Sequence, residues 1–211
     1  EFFRLEGRGD FMDGVCAGCS DVLPDKLGVR CDDCDDPGVY CIACCLSRHA
    51  RLPLHRMKRW NGTQFRPETL SSMGLRFQLG HPPDEVCPCW DSDFEDSFVV
   101  LDITGSHEVH VEFCRCDGAP APHIQLLRHS WFPAECDKPY TAATFRLLHQ
   151  FHLFSAHLGI SAVDFYENLL RLTDNTGLNP PSNRSAAFAA MAKDWQHLKM
   201  LKRSGTPRAD A

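Results

Sequence analysis

Cysteine and histidine set the chemistry open to this sequence. Cys16, Cys19, Cys31, Cys34, Cys41, Cys44, His49 and His55 follow the pattern C-x2-C-x11-C-x2-C-x6-C-x2-C-x4-H-x5-H. Two ligands separated by two residues reach one ion from a single tight turn, so each pair acts as one claw. Four claws of thiolate and imidazole suit two tetrahedral Zn2+ ions, pairing as neighbours or alternately. The competing chemistry is a disulfide framework. Twelve cysteines and eleven histidines, behind an amino end without the apolar stretch of a secretory signal, favour metal, because cytosol and nucleus keep thiols reduced.

A second cluster holds His81, Cys87, Cys89, Cys114 and Cys116. Cys114 and Cys116 stand at i and i+2 at a strand end, where both can close on one ion. His81 and Cys87 are the nearest candidates to complete a third zinc site, with Cys89 able to replace Cys87 and His107 able to replace His81. His110 lies four residues before Cys114, about 13 Å along a strand, and is read as an exposed strand residue. Cys45 falls outside the CxxC spacing and is read as a small buried or free thiol. His149, His152 and His157 have no Cys or Glu partner at useful spacing and are read as structural.

The elements that must position these ligands are legible to different degrees. CCLSRHARL reads as a short helix presenting His49 and ended by Pro53, and MKRWNGTQF as a strand and an Asn61-Gly62 turn, with Trp60 and Phe65 as packing residues. FVVLDITGSHEVHVEFCRC alternates like two strands joined at Thr104-Gly105, with Val109, Val111 and Phe113 on one face and His110, Cys114 and Cys116 on the other. Residues 120–140 are punctuated by proline and read as irregular apart from a short turn around Ile124–Arg128. Thr141 is the expected cap of a helix whose Leu147, Phe151, Phe154 and Leu158 share one face, with Gly159 past its end. Ser161 and Asp164 form a capping box for AVDFYENLLRLTDN. The last helix carries Phe188, Met191, Trp195 and Leu198 as its core stripe, stopped by Gly205 and Pro207.

The formal charge is −6, and zinc held by thiolates does not reverse it. Such a chain is a poor nonspecific DNA binder as a whole, yet the charge is patchy. Arg48, Arg51, Arg56, Lys58 and Arg59 form a basic shoulder and are the expected nucleic-acid contacts, whereas CDDCDD (31–36) and DSDFED (91–96) are acidic. Asp32, Asp33, Asp35 and Asp36 offer a place for a cationic peptide terminus. No apolar run approaches the roughly 20 residues that cross a bilayer. EFFRLEG resembles the tail of a helix, as if cut from something longer.

Two resemblances sharpen this. The pattern of four claws resembles ZZ, B-box and RING zinc fingers, in which the claws alternate in a cross-brace. That likeness implies Cys16, Cys19, Cys41 and Cys44 on one ion and Cys31, Cys34, His49 and His55 on the other. It also implies that losing either ion loosens both sites.

The blocks CIACCLSRHARLPLHRMKRWNGTQF, LGHPPDEVCP, VLDITGSHEVHVEFCRC, QLLRHSWFPAECDKPYTAATFRLLHQFH, SAVDFYENLLRLTDN and DWQHLKMLKRSG, in that order, resemble the cysteine-cluster (CxC) region of fungal Kyakuja-Dileera-Zisupton (KDZ) transposases. The resemblance runs from about Cys16 to about Gly205. It favours Cys41, Cys44, His49, His55, His81, Cys87, Cys114 and Cys116 as recurring positions. Cys136, in FPAEC where the family leads us to expect FPAT, departs from it, and Cys89 is an extra. In that family a catalytic core follows this region, and no catalytic residue carries over to this chain.

The expected architecture is α+β: a truncated segment (1–15), a cross-brace zinc finger (16–65), a CxC antiparallel β-hairpin region with a third zinc (66–136), a helical region (137–205) and a tail (206–211). The expected function is a noncatalytic zinc-binding module of a nuclear transposase. Its expected partners are DNA at transposon ends, a chromatin or peptide partner, or a second copy of itself, with no membrane and no small-molecule substrate. A ZZ-like peptide reader and a RING-like ubiquitin ligase are the alternatives.

Overall fold

The computed structural model describes residues 14–24, 27–82, 85–91, 98–178 and 180–205. EFFRLEG, most of the DSDFED run, Pro207 and the 206–211 tail lie outside the described residues.

The amino-terminal part is built on a three-stranded antiparallel sheet of β1 (Val29–Cys31), β2 (Met57–Trp60) and β3 (Phe65–Glu68), with α1 (Ile42–His49) between the first two strands in sequence. The β2–β3 turn is held by Asn61, whose Oδ1 accepts from the Thr63 and Gln64 N–H groups. Its apolar centre is small, with Val29, Val39, Cys45 and Met57 buried. Trp60 is buried with its ring centroid 5.0 Å from Phe65, as expected of packing residues.

A six-stranded sheet follows. β4 (Arg76–Gln78), β7 (Gly105–Cys114), β6 (Phe98–Asp102), β9 (Thr141–Thr144) and β8 (Trp131–Pro133) lie in that order, and β5 (Trp90–Asp91) also pairs with β7. The expected hairpin is present as β6 and β7, but the sheet around it is larger and mixed. β4 runs parallel to β7 and β9 parallel to β6.

Burial on both faces explains why FVVLD is buried throughout. Phe98 and Val100 join Phe77, Val109, Val111, Phe113, Leu126 and Trp131 on one side. Val99 and Leu101 face α3 (Phe145–Leu158), α4 (Ala162–Thr173) and α5 (Ser185–Arg203) through Leu147, Leu148, Tyr166, Leu169 and Phe188.

Three expectations need correction. Residues 122–128 form a complete helix, α2 (Pro122–Arg128), and 131–133 form an edge strand inside the region read as irregular. Thr144, not Thr141, caps α3, its side chain accepting from the Leu147 N–H. Thr141 is instead used in the parallel pairing of β9. The buried face of α3 is Leu147, Leu148 and Phe151, while Leu158 is 68% exposed; likewise Leu198 of α5 is 50% exposed, because both helices outrun the core. Gly159 does end α3 in the left-handed conformation, and Ser161 caps α4 by accepting from the Asp164 N–H.

The two sheets share a seam. Leu54 of the amino-terminal part packs in the core beside Phe77 and Val109, and Ser71 Oγ donates to the Glu108 carbonyl at 2.9 Å. The expected boundary at 136–137 falls within the larger sheet, where β8 and β9 pair across it.

Candidate metal centres

The fold gathers nine of the twelve cysteines and three of the eleven histidines into three groups. Cys16, Cys19, Cys41 and Cys44 form one, Cys31, Cys34, His49 and His55 a second, and His81, Cys87, Cys114 and Cys116 a third; within each, the four ligand atoms lie within 4.8 Å of one another.

The spacing fits a tetrahedral ion. With Zn–S about 2.3 Å and Zn–N about 2.0 Å, a tetrahedron has S···S edges of about 3.8 Å and S···N edges of about 3.5 Å. Cys19 and Cys41 sulfurs are 4.0 Å apart and those of Cys87 and Cys116 3.7 Å. Cys31 Sγ lies 3.3 Å from His55 Nδ1, and Cys34 Sγ 3.4 Å from the same atom and 3.5 Å from His49 Nε2. His81 Nε2 is 3.1 Å from Cys114 Sγ and 3.5 Å from Cys116 Sγ.

Secondary structure explains the first two groups. Cys41 is the N-cap of α1 and its sulfur accepts from the Cys44 N–H at 3.4 Å, so this claw is the first turn of a helix. His49 ends the same helix, pointing to the other group. Gly18 lets the Cys16–Cys19 turn press against it, since a Cβ there would stand 3.0 Å from Cys44 Sγ. In the third group, Gly80 (φ +89) precedes His81 where a Cβ would fall 2.6 Å from that of Cys114.

The surroundings prepare His49 and Cys16 as ligands. His49 Nδ1 lies 2.8 Å from the Cys45 carbonyl; donating there fixes the tautomer that leaves Nε2 as a lone pair. Cys16 sulfur accepts N–H groups from Gly18 at 3.3 Å and Cys41 at 3.2 Å, and Cys31 from Asp33 at 3.4 Å. Burial opposes ionisation of Cys16, but the N–H groups of Cys41, Cys19 and Gly18 prevail and bring its pKa down to about 6. Its neighbours move the other way. Cys19 is pushed up to about 12, the Asp21 N–H being outweighed by the Asp21 carboxylate and the Cys16 sulfur. Burial and the Cys34 sulfur likewise push Cys31 up to about 12. Crowded thiols cannot all ionise unless a cation joins them.

The residues left open in the second cluster separate clearly. Cys89 and His107 are outside the third group: Cys89 is exposed, and His107 Nε2 is 2.8 Å from Thr104 Oγ1. Cys45 is buried and Cys136 exposed, and neither belongs to a group. His110 Nε2 lies 3.4 Å from Arg76 Nη1, and His149, His152 and His157 join no group among the described residues.

Two glutamines were not singled out in the sequence. Gln78 donates to the Glu85 carbonyl at 2.7 Å and accepts the Cys87 N–H at 2.6 Å, closing the loop between His81 and Cys87. Gln125, buried on α2, binds the backbone of Cys114. Their one sequence signal is a polar residue inside an apolar run, RFQLG and HIQLL.

The basic shoulder meets the acidic claw. Lys58 pairs with Asp32 at 2.6 Å, Arg56 with Asp33 at 2.6 Å and Arg48 with Asp36 at 2.8 Å. Asp36 also accepts from the Tyr40 hydroxyl, and Arg48 lies over the Tyr40 ring. Clusters that look like opposite patches in sequence are largely one paired surface. Arg51 is exposed at the end of α1, and Arg59 stands opposite Arg66 in β3.

The sequence model described as "CxC2 like cysteine cluster associated with KDZ transposases" matches residues 70–177. That span holds the whole third group, the six-stranded sheet and α2 to α4. No curated protein and no solved structure matches the chain. Among the described residues no helix is long and apolar enough to cross a membrane.

Proposed function

Since the chain belongs to the CxC2-like cysteine-cluster family associated with KDZ transposases, we propose that it is a noncatalytic, nuclear DNA-binding module of such a transposase, stapled by three zinc ions. Cys16, Cys19, Cys41 and Cys44 would hold the first ion, Cys31, Cys34, His49 and His55 the second, and His81, Cys87, Cys114 and Cys116 the third. The observation that carries this is the spacing of the donor atoms, which follows tetrahedron edges in all three groups.

Each ion would have four protein ligands and no open position, which suits a structural role and leaves no place for a metal-bound nucleophile. A bound zinc supplies cross-linking and charge neutralisation for thiolates. The chain's own part is to aim the ligands: α1 with its N-cap carries two ligands of the first ion and one of the second, and Gln78 and Gln125 set the loops of the third.

The peptide-reader alternative is less well supported, because Asp32, Asp33 and Asp36 are occupied by Lys58, Arg56 and Arg48. Cobalt substitution tests the reading. Three equivalents of Co2+ should give the intense visible bands of tetrahedral thiolate coordination. Weak octahedral spectra would refute it, and autoubiquitination by the zinc-loaded chain would favour the ligase alternative.

A further inference from the structure

We propose that the groove between the finger and the six-stranded sheet receives a single nucleic-acid strand, with phosphates on Arg51, Arg76 and Arg128 and a base against Trp90. This rests on the DNA-binding reading above and sharpens it, because of the basic shoulder it keeps only Arg51.

The groove has a volume of about 560 Å3 and is walled by the end of α1, β4, the His81 loop and α2. Phe77 forms part of its apolar lining. Three arginines converge on it, and among the described lining residues Glu85 is the one carboxylate. In a chain of formal charge −6 this is a local reversal of sign. A concave, partly apolar wall concentrates such a field. Arg76 also pairs with Glu112 at 3.2 Å while its own side chain stays 54% exposed; the shoulder, for its part, spends most of its charge on the aspartates of the second claw.

The aromatic component selects the class of ligand. Trp90 is 45% exposed at the edge of the sheet, and the Arg76 guanidinium lies 5.7 Å from its ring centroid. An indole beside a phosphate-binding guanidinium is the combination that single-strand sites use, because every base has a π-face to stack. A duplex keeps its bases stacked on one another and cannot offer one to the indole. An acidic peptide would use the arginines and leave Trp90 idle. His81 lines the same groove, so the third metal centre shapes one wall.

Fluorescence anisotropy on the zinc-loaded chain, with a labelled oligothymidylate, a mixed-sequence duplex and a polyglutamate peptide, tests the proposal. The strand should bind in preference to the other two. The double variant Arg51→Glu/Arg128→Glu should weaken it at least about tenfold and flatten its salt dependence, and Trp90→Ala should weaken it about tenfold. Arg51, Arg128 and Trp90 are exposed, so thermal unfolding should barely change. Failure to bind the strand, binding indifferent to these variants, or equal binding of duplex or polyglutamate would overturn the groove. Zinc is counted in the same samples. A zinc-loaded chain indifferent to the variants sinks the groove alone, and a zinc-free chain that binds through Arg128 and Trp90 sinks the zinc reading alone.

Discussion

Gln125 grips the backbone of Cys114 with both ends of its amide. Its Oε1 accepts the Cys114 N–H at 3.0 Å, and its Nε2 donates to the Cys114 carbonyl at 2.9 Å and to the Pro120 carbonyl at 2.8 Å. A side chain on α2 thereby fixes the strand end from which Cys114 and Cys116 reach the third centre. Gln125→Leu preserves bulk but leaves buried backbone groups unpaired, at a cost of about 1–3 kcal/mol. Affinity at the third centre should fall about 10–100-fold, the usual effect of removing an outer partner, with the other two centres intact. Chelator competition followed by zinc counting reads this directly.

The first two centres should not be separable. Cys41, the N-cap of α1, and Cys44 and His49 within its eight residues belong to different groups. Cys34→Ser, which removes a ligand of the second group, should therefore also weaken the first. Loss of both ions, with melting of α1 seen by circular dichroism, is the expected result. A variant that keeps one ion bound at full affinity would show that the claws work independently.

Asp102 is fully buried at the end of β6, bonded to Arg146 by two short contacts of 2.6 and 2.5 Å and to Thr144 at 2.7 Å. Burial raises its pKa, but Arg146, Thr144 and Thr104 outweigh it and hold the carboxyl below its ordinary value. A depressed carboxylate contributes stability above the ordinary range, and that stability disappears as pH falls through the folded value. Asp102→Ala leaves the half-exposed Arg146 to water but unpairs the buried Thr144 hydroxyl, and should cost about 1–3 kcal/mol in denaturant titrations.

His107 gives the opposite kind of group, a base kept neutral. Burial lowers its pKa to about 4, against the pull of Asp102 and Asp33 and with the help of Arg56 and Arg146. The unfolded chain takes this proton near pH 6.5, so between about 6.5 and 4 the unfolded state binds more protons and stability falls on acidification. His107→Gln keeps a donor for Thr104 and should flatten that slope by up to about 1.4 kcal/mol per pH unit. Metal affinity itself depends on pH, so the comparison is made at saturating zinc.

What was legible in the sequence was what is local. CxxC spacing, the Ser161–Asp164 cap and Gly159 each act within a few residues, and the structure uses Ser161 and Gly159 as expected. Long-range pairing was not legible. Thr141 looked like a cap because nothing near it reveals that residues 141–144 run parallel to β6, some forty residues upstream. Trp131–Pro133 hid among prolines because Pro133 is tolerated at a sheet edge, where β8 lies. Gln78 and Gln125 escaped notice for the same reason: their partners are backbone atoms brought close only by folding. The pairing of Lys58, Arg56 and Arg48 with three aspartates likewise depends on the seating of β1 against β2 and of α1 beside them.

The central claim is that three tetrahedral zinc centres hold this fold. Native mass spectrometry of the chain prepared in zinc with thiols reduced tests it most directly, with acid-denatured protein giving the bare mass. The expected result is a mass increased by three zinc ions, each displacing its ligands' protons, with all twelve cysteines alkylatable once the metal is stripped. A folded chain of unaltered mass, or one whose cysteines resist alkylation because they are paired as disulfides, would contradict it.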